Sequence, residues 1–190
     1  VHFCTKTGVW SLSVNTSASS GSIPVLTGEV SRRSRYEYRL DLKESDLRKR
    51  VSAHHRRNIK RAQRAGVALD RISREEAGRE HVGLLKASME RRRKRGEDVR
   101  NSDADKILPY LRECAAELFR AVAHGKVLSS ILVLMAPQGG YYQSAGTSSE
   151  GMACGASHFL VYQIAKTLQA ENKERFNLGG AQPENQGLRQ

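Results

Sequence analysis

Five cations at helical spacing are the first side chains in this sequence that could do chemistry. They fall within residues 54–66 and are Arg56, Arg57, Lys60, Arg61 and Arg64. Residues three or four apart lie on the same side of a helix, and guanidinium groups match the geometry of phosphate oxygens. The pattern therefore indicates either an anion-binding helix face or an ordinary solvated surface helix.

The distribution of charge favours an anionic partner for this segment. The chain carries a formal net charge of +12, and residues 31–100, with 23 basic and 11 acidic side chains, contribute all of it. A local excess of this kind is typical of proteins that meet phosphates, nucleic acid or an anionic membrane surface. A second basic run, residues 91–95, points all round a helix, and we interpret it as a solvated helix end.

No other pattern in the sequence predicts a familiar catalytic or metal site. His54 and His55 could be ligands or bases, but no Cys, His or carboxylate lies at metal-ligand spacing from them, which favours packing or solvent. Cys154 lies in a glycine-rich stretch without a neighbouring base, and no serine occupies a Gly-x-Ser-x-Gly turn. We therefore expect no metal and no covalent nucleophile.

Length and composition limit the class of protein. A chain of 190 residues, 38% of them hydrophobic, fits one domain with its own core, or one domain with the remnant of another. The longest apolar run, residues 131–136, is far shorter than the ~18–20 residues of a membrane-spanning helix. Three separated cysteines suggest reduced thiols in a cytoplasmic protein. Since Val1 stands where Met would be expected, we expect a fragment.

Hydrophobic periodicity and turn residues predict the elements that must position these side chains. The predicted strands are Tyr36–Leu42, Val67–Ile72, Lys126–Met135, Tyr141–Ala145 and Arg175–Leu178, with short strands at Val9–Val14 and Ile23–Leu26 around a loop at residues 11–22. The predicted helices run from a Ser45 cap to Ala65, from a Ser73/Glu76 capping box to Arg95, from Ser102 to His124, and from His158 to Ala170.

The links between these elements complete the prediction. Pro109 either kinks the third helix or starts it after a turn, residues 137–140 form a hairpin turn, and residues 146–157 form a small-residue loop. The order of elements predicts an α/β domain with a mixed β-sheet flanked by helices. Residues 1–30 are expected to be a linker or the remnant of a preceding domain, and residues 31–190 the domain itself.

Taken in order, several segments resemble a known family. They are Tyr36–Leu42, His55–Ala62, Gly66–Val67, Tyr141–Gly146, Arg175–Gly180 and Pro183–Leu188. Together they are similar to FemABX-like acyltransferases of the GNAT fold. That family includes peptidoglycan-bridge enzymes, which transfer aminoacyl groups from tRNA, and BioF-like acetyltransferases.

The resemblance implies roles for individual residues. Arg56 would contact the phosphates of a nucleotide-linked or lipid-linked muropeptide, with Arg57, Lys60 and Arg61 beside it. Tyr142 and Ser144 would contact substrate from the strand that borders the cleft. The cleft floor would be shaped by Asn177, Gly179 and Gly180.

The resemblance also implies the reaction: direct transfer of an acyl or aminoacyl group to an amine, in cell-envelope or polysaccharide biosynthesis. The donor would be acyl-CoA or aminoacyl-tRNA, and the acceptor a phosphate-bearing small molecule or lipid-linked compound. Possible partners are tRNA and, peripherally, an anionic membrane surface.

Two departures from the family pattern leave the catalytic group unassigned. The acetyl-CoA signature is not clean in Ser148–Gly155, and the lysine that can stabilise the transition state would lie beyond Gln190. We therefore expect a domain truncated at its C-terminus. Two other functions remain open, a nucleic-acid-binding module that uses the basic helix 46–65 and a non-catalytic domain of the GNAT fold.

Overall fold

A computed structural model describes residues 36–43, 46–97 and 107–181, together with residues 6, 8, 25, 27–32 and 99. Residues 38–179 form one compact unit, and residues 1–37 with 180–190 form a smaller one. In the smaller unit, Arg32 forms a two-point ion pair with Glu29, with N–O distances of 2.7 Å. The predicted N-terminal strands and loop, the Ser45 cap and the Pro183–Leu188 motif lie outside the described residues, apart from Val25.

The described chain is built on a six-stranded sheet in the order β1-β6-β5-β4-β3-β2. The strands are β1 Tyr36–Asp41, β2 Ala68–Ile72, β3 Ala116–Ala123, β4 Lys126–Ala136, β5 Gly139–Thr147 and β6 Arg175–Ala181. Strands β2 to β5 form an antiparallel meander, whereas β6 pairs with β5 in parallel. The predicted mixed sheet is confirmed.

Helices cover both faces of the sheet. They are α1 Ala53–Arg64, α2 Glu75–Lys94, α3 Leu108–Arg112, α4 Ser149–Cys154 and α5 Ala156–Ala170. One core lies between the sheet and α1 and α5, and contains Ile59, Phe119 and Leu160. A second core lies between the sheet and α2 and α3, and contains Leu85, Leu111 and Leu132. Burial of these apolar side chains fixes the three layers.

The helix predicted from Ser45 to Ala65 is interrupted. Residues Leu47–Arg50 form one 3₁₀ turn, capped by the Asp46 carboxylate, and Val51 is extended. The Ser52 hydroxyl then accepts from the His55 N–H at 3.3 Å and starts α1. Two caps in succession thus restart the helix, because each side-chain oxygen satisfies an N–H that a helix start leaves unpaired. Gly66, at φ 70°, ends α1 as predicted.

The helix predicted from Ser102 to His124 is wrong over most of its described length. Only Leu108–Arg112 is helical, with Pro109 in its first turn, and residues 116–123 form strand β3. Apolar residues 115, 118, 119 and 122 have helical spacing, but β3 is flanked by β2 and β4 and buries residues on both of its faces. A strand buried on both sides loses the period-two signature, so a short buried strand and a short buried helix have similar sequence patterns.

Two local predictions are also corrected. Helix α2 is not opened by a Ser73/Glu76 capping box, since its N-cap is Arg74 and makes no side-chain capping bond. The predicted loop at 146–157 contains α4, which Ser148 caps and which Gly155, at φ 81°, separates from α5.

Candidate functional site

The parallel strands β5 and β6 separate partway along their length. They pair only at Gly139–Arg175, Gly140–Phe176 and Tyr141–Asn177, although β5 runs on to Thr147 and β6 to Ala181. Beyond this point, residues 142–147 of β5 and 178–179 of β6 have no ladder partner on their facing edges among the described residues, so backbone donors and acceptors remain there. We call the space bordered by residues 142–147 of β5 and 178–179 of β6 the β5–β6 gap.

Tyr142 is the first residue of β5 beyond the last pair. Its ring is half-buried and packs against the core beneath α5. Burial raises the pKa of its phenol to about 12, so that the hydroxyl stays protonated at neutral pH. Among the described residues this hydroxyl has no hydrogen-bond partner, which leaves it able to donate to a ligand.

A β-bulge turns Ser144 to the opposite face of the sheet. In the β4–β5 ladder Val133 pairs with Tyr142 and Leu132 pairs with Ser144, so that Gln143 has no partner. The Ser144 Oγ lies 2.9 Å from Nε2 of His81, on α2. Ser144 is half-buried at the border of the gap.

His81 is a residue of this region that the sequence interpretation missed. Its side chain is fully buried, and its Nδ1 lies 3.0 Å from the Ser130 Oγ on β4. Desolvation lowers the pKa of His81 to about 4, so that the ring is neutral at pH 7. A signal existed, because His81 is spaced four residues from both Ala77 and Leu85 in the buried row of α2.

Gly179 lies on the β6 side of the gap, and Asn177 lies in the last β5–β6 pair, just before the gap. Asn177 is buried, and its Oδ1 accepts from the Gly179 N–H at 2.8 Å. Gly179 has φ 88°, a conformation that other residues rarely adopt. Gly180 follows in β6 and belongs to the smaller unit.

The cations of α1 lie on the exposed side of that helix. The helix packs through Asn58, Ile59 and Ala62, and its arginines and lysine are exposed. Arg56 donates to the Val51 carbonyl at 2.7 Å, and Arg61 to the Asn58 Oδ1 at 2.8 Å. Helix α1 contains no acidic residue, and none of its cations has a carboxylate partner among the described residues.

The basic end of α2, unlike α1, has carboxylate partners for several of its cations. Arg92 and Arg95 both pair with Glu97, at 2.7 Å in each case, and Arg93 pairs with Glu90 at 3.1 Å. These pairs partly neutralise the 91–95 run. Helix α1, with five cations and no acidic residue, is therefore less compensated than this end of α2, where five cations face Glu90 and Glu97.

Three imidazoles gather beside α1. The rings of His55 and His158 are 4.9 Å apart between centroids, and those of His54 and His158 are 6.2 Å apart. The His158 Nδ1 is buried without a partner. Its pKa is lowered by desolvation first, and then by its two neighbours and Arg61. No group of His, Cys, Asp or Glu in the described part of the chain is arranged to hold a metal ion.

The segment between β5 and α5 uses its own backbone donors internally. The Ser148 Oγ accepts from the Gly151 N–H at 2.9 Å, and the Ser148 carbonyl accepts from the Met152 N–H at 2.9 Å. These donors are therefore not available to a phosphate in this conformation.

The predicted site residues thus form two groups. Tyr142, Ser144, Asn177 and Gly179 lie on the strands at the gap, although Tyr142 and Ser144 face opposite sides of the sheet. Arg56, Arg57 and Lys60 lie on an outer helix, and no hydrogen bond or ion pair between described residues joins them to the first group.

This combination of a meander, a parallel sixth strand and a gap beside it is that of an acyltransferase fold. The sequence model of the acetyltransferase (GNAT) domain family matches residues 49–185. The chain belongs to this family, which confirms the GNAT resemblance and its acyltransferase class.

Solved structures support the same fold. FemX superposes with a TM-score of 0.65 at 14% identity, over 78% of this chain and 54% of FemX. The C-terminal domain of an Agrobacterium fabrum protein described as a lysylphosphatidylglycerol synthetase gives 0.55 at 17% identity, over 76% of this chain and 46% of that one. The chain thus spans about half the length of these structures. No curated protein matches the sequence.

Among the described residues, no helix is long and apolar enough to cross a membrane.

Proposed function

We propose that this chain is the acyl-transfer domain of an N-acyltransferase that modifies an amine on a phosphate-bearing acceptor in cell-envelope biosynthesis. The observation that carries the proposal is the β5–β6 gap in a chain of the GNAT family. The FemABX-like segments of the sequence support a cell-envelope acceptor.

The donor arm would lie along the free edge of β5. An extended chain with amide groups can add to an exposed strand edge through backbone hydrogen bonds. Acyl-CoA has such an arm, and the family match favours it over aminoacyl-tRNA. The N–H groups of Gly151 and Met152 are already bonded to Ser148. We therefore expect the phosphates of acyl-CoA to contact other groups.

The acceptor would be recognised by α1. Arg57 and Lys60 are exposed and have no carboxylate partner among the described residues. Arg56 lies on the same helix and donates one N–H group to the Val51 carbonyl. Guanidinium and ammonium groups that are exposed and not ion-paired bind phosphate oxygens at little desolvation cost. A nucleotide-linked or lipid-linked muropeptide carries both such phosphates and an amine.

The chemistry needs no covalent enzyme intermediate. The acceptor amine attacks the acyl carbonyl and forms the new C–N bond. The C–S bond then breaks, and the departing thiolate takes up the proton that the amine loses and leaves as the thiol. The domain contributes alignment of two bound reactants and donors toward the developing oxyanion. Tyr142 and Ser144 are the candidate donors.

The test is a transfer assay on the full-length protein with a UDP-linked muropeptide as acceptor. Acetyl-CoA and alanyl-tRNA are supplied in separate reactions, and mass spectrometry reads the acceptor. We expect acylation from acetyl-CoA, and KM for the acceptor roughly tenfold higher in Arg56→Ala. Arg93→Ala, which removes the same charge from an ion-paired arginine of α2, is the matched control.

The result also decides between the alternatives. Transfer from alanyl-tRNA alone would identify aminoacyl-tRNA, and not acyl-CoA, as the acyl donor. Absence of transfer from either compound would favour the non-catalytic domain. Binding of duplex DNA that falls steeply with salt and weakens in Arg56→Ala, in a protein without transfer activity, would favour the nucleic-acid module.

A further inference from the structure

His81 bridges two strands with a single neutral ring. It lies fully buried on α2, with Ser130 of β4 on one nitrogen at 3.0 Å and Ser144 of β5 on the other at 2.9 Å. A neutral imidazole has one N–H donor and one acceptor nitrogen. The two serines therefore cannot have the same role, and one must donate to the ring while the other accepts from it.

Burial decides which serine donates. Ser130 is fully buried, and its hydroxyl makes no other hydrogen bond among the described residues. If Ser130 accepted from Nδ1, its own proton would be buried without an acceptor, which proteins avoid. The Ser130 O–H therefore donates to Nδ1, and the remaining proton of the ring sits on Nε2.

The consequence reaches Ser144. Its Oγ accepts from the Nε2–H of His81, so its own O–H has no acceptor among the described residues and is left to donate outward. Ser144 is half-buried and lies on β5 beyond the last pair with β6. The opposite tautomer would turn this proton toward the histidine and present only lone pairs to the gap.

We infer that His81 is a positioning residue that fixes the Ser144 hydroxyl as a hydrogen-bond donor into the β5–β6 gap, toward the carbonyl oxygen of the bound acyl group. The identity of the acceptor oxygen rests on the proposed function, whereas the orientation of the hydroxyl rests only on the buried network. The carbonyl oxygen gains negative charge during attack by the amine. A fixed hydrogen-bond donor at this position therefore stabilises the transition state more than it stabilises the bound acyl substrate.

The first experiment reads the tautomer and requires no substrate. In the full-length protein labelled with ¹⁵N-histidine, two-bond ¹H–¹⁵N correlations at pH 7 distinguish a protonated from an unprotonated ring nitrogen. We expect His81, assigned by loss of its signals in His81→Gln, to carry its proton on Nε2. A proton on Nδ1 overturns the inference, whatever reaction the protein catalyses.

The second experiment reads the consequence for transfer from acetyl-CoA to the UDP-linked muropeptide. We expect Ser144→Ala to lower kcat on the order of 10²-fold with KM for acetyl-CoA nearly unchanged. Ser130→Ala should also lower kcat, although Ser130 cannot reach a substrate, because the tautomer is no longer fixed. His81→Gln keeps one donor and one acceptor, and should retain more activity than His81→Leu.

Ser129→Ala is the matched control. Ser129 is the neighbour of Ser130 and equally buried, but its hydroxyl bonds to the Gly146 carbonyl and the Thr147 Oγ1 on the other face of β4. It should leave kcat within about twofold. An unchanged kcat in Ser144→Ala overturns the inference. Absence of transfer in the wild-type protein rejects the proposed function, and the NMR result then decides the orientation of Ser144 by itself.

Discussion

The protonation state of a buried histidine is set by the groups around it. His81 lies in the second core, between sheet and α2, and its two contacts are uncharged hydroxyls. No carboxylate of the described residues forms an ion pair with it, so nothing offsets the cost of charging the ring there. The neutral form that orients Ser144 is thus enforced by burial.

This burial predicts how stability depends on pH. The pKa of His81 is about 4 in the folded protein and 6.5 ordinarily. Between these values the unfolded chain binds a proton that the folded protein does not, so stability is full above pH 6.5 and falls as the pH drops toward 4. The expected loss from this residue is about 3 kcal/mol.

The pH-dependent loss of stability due to His81 can be measured by urea unfolding of the wild type and of His81→Gln at several pH values. The difference in unfolding free energy between the two proteins should change only between pH 6.5 and 4. The acid sensitivity due to His158 is common to both and cancels. A difference that stays constant with pH would contradict the neutral, buried ring.

At the scale of elements, the position of Ser144 depends on how closely α2 approaches β5. Gly146 lies under α2, where an added Cβ would stand 2.4 Å from the backbone atoms Leu84 C and Leu85 N. Only a residue without a side chain allows this approach. The same approach brings His81 within hydrogen-bond distance of Ser144.

Gly146→Ala should therefore destabilise the domain by about 3 kcal/mol, since backbone atoms of a helix cannot move aside as a side chain can. Gly83→Ala is the matched control, because Gly83 is exposed on α2 and an added Cβ there meets nothing within 4 Å. That variant should stabilise the domain by about 0.8 kcal/mol through helix propensity. Chemical unfolding of both variants tests the pair, and equal effects would refute the close contact.

At the scale of the whole molecule, the net charge of +12 has a specific location. Arg92, Arg93 and Arg95 near the end of α2 pair with Glu90 or Glu97, and Arg120 pairs with Asp70 and Glu80. The cations of α1 have no carboxylate partners among the described residues. Among the described helices, positive charge is therefore least compensated on α1, which has five cations and no acidic residue.

The double variant Arg57→Ala/Lys60→Ala should weaken binding of UDP about tenfold at low salt, because two exposed charge pairs are lost. It should also remove most of the decrease in affinity that the wild type shows on raising the salt concentration. Titration calorimetry at two salt concentrations measures both effects. Arg92→Ala/Arg95→Ala removes the same charge from ion-paired residues of α2 and should change neither; an equal loss there would point to net charge alone.

The amino-acid sequence by itself determined the class of fold, the hairpin of β4 and β5, the glycine that ends α1 and the location of the basic helix. These features depend on local patterns, which are caps, turn residues and periodicity, and they are read along the chain. Tertiary structure alone decided that residues 116–123 form a strand, because burial on both faces removed the alternation that marks one.

The face on which Ser144 lies was also decided only by the tertiary structure. The bulge at Gln143 exists only when β5 pairs with β4. No property of residues 142–144 could therefore reveal that Tyr142 and Ser144, two positions apart, point to opposite sides. The partnership of His81 with Ser130 and Ser144 joins residues 49 and 63 positions apart in the chain. Contacts at such distances arise from packing of the layers, which a one-dimensional pattern does not record.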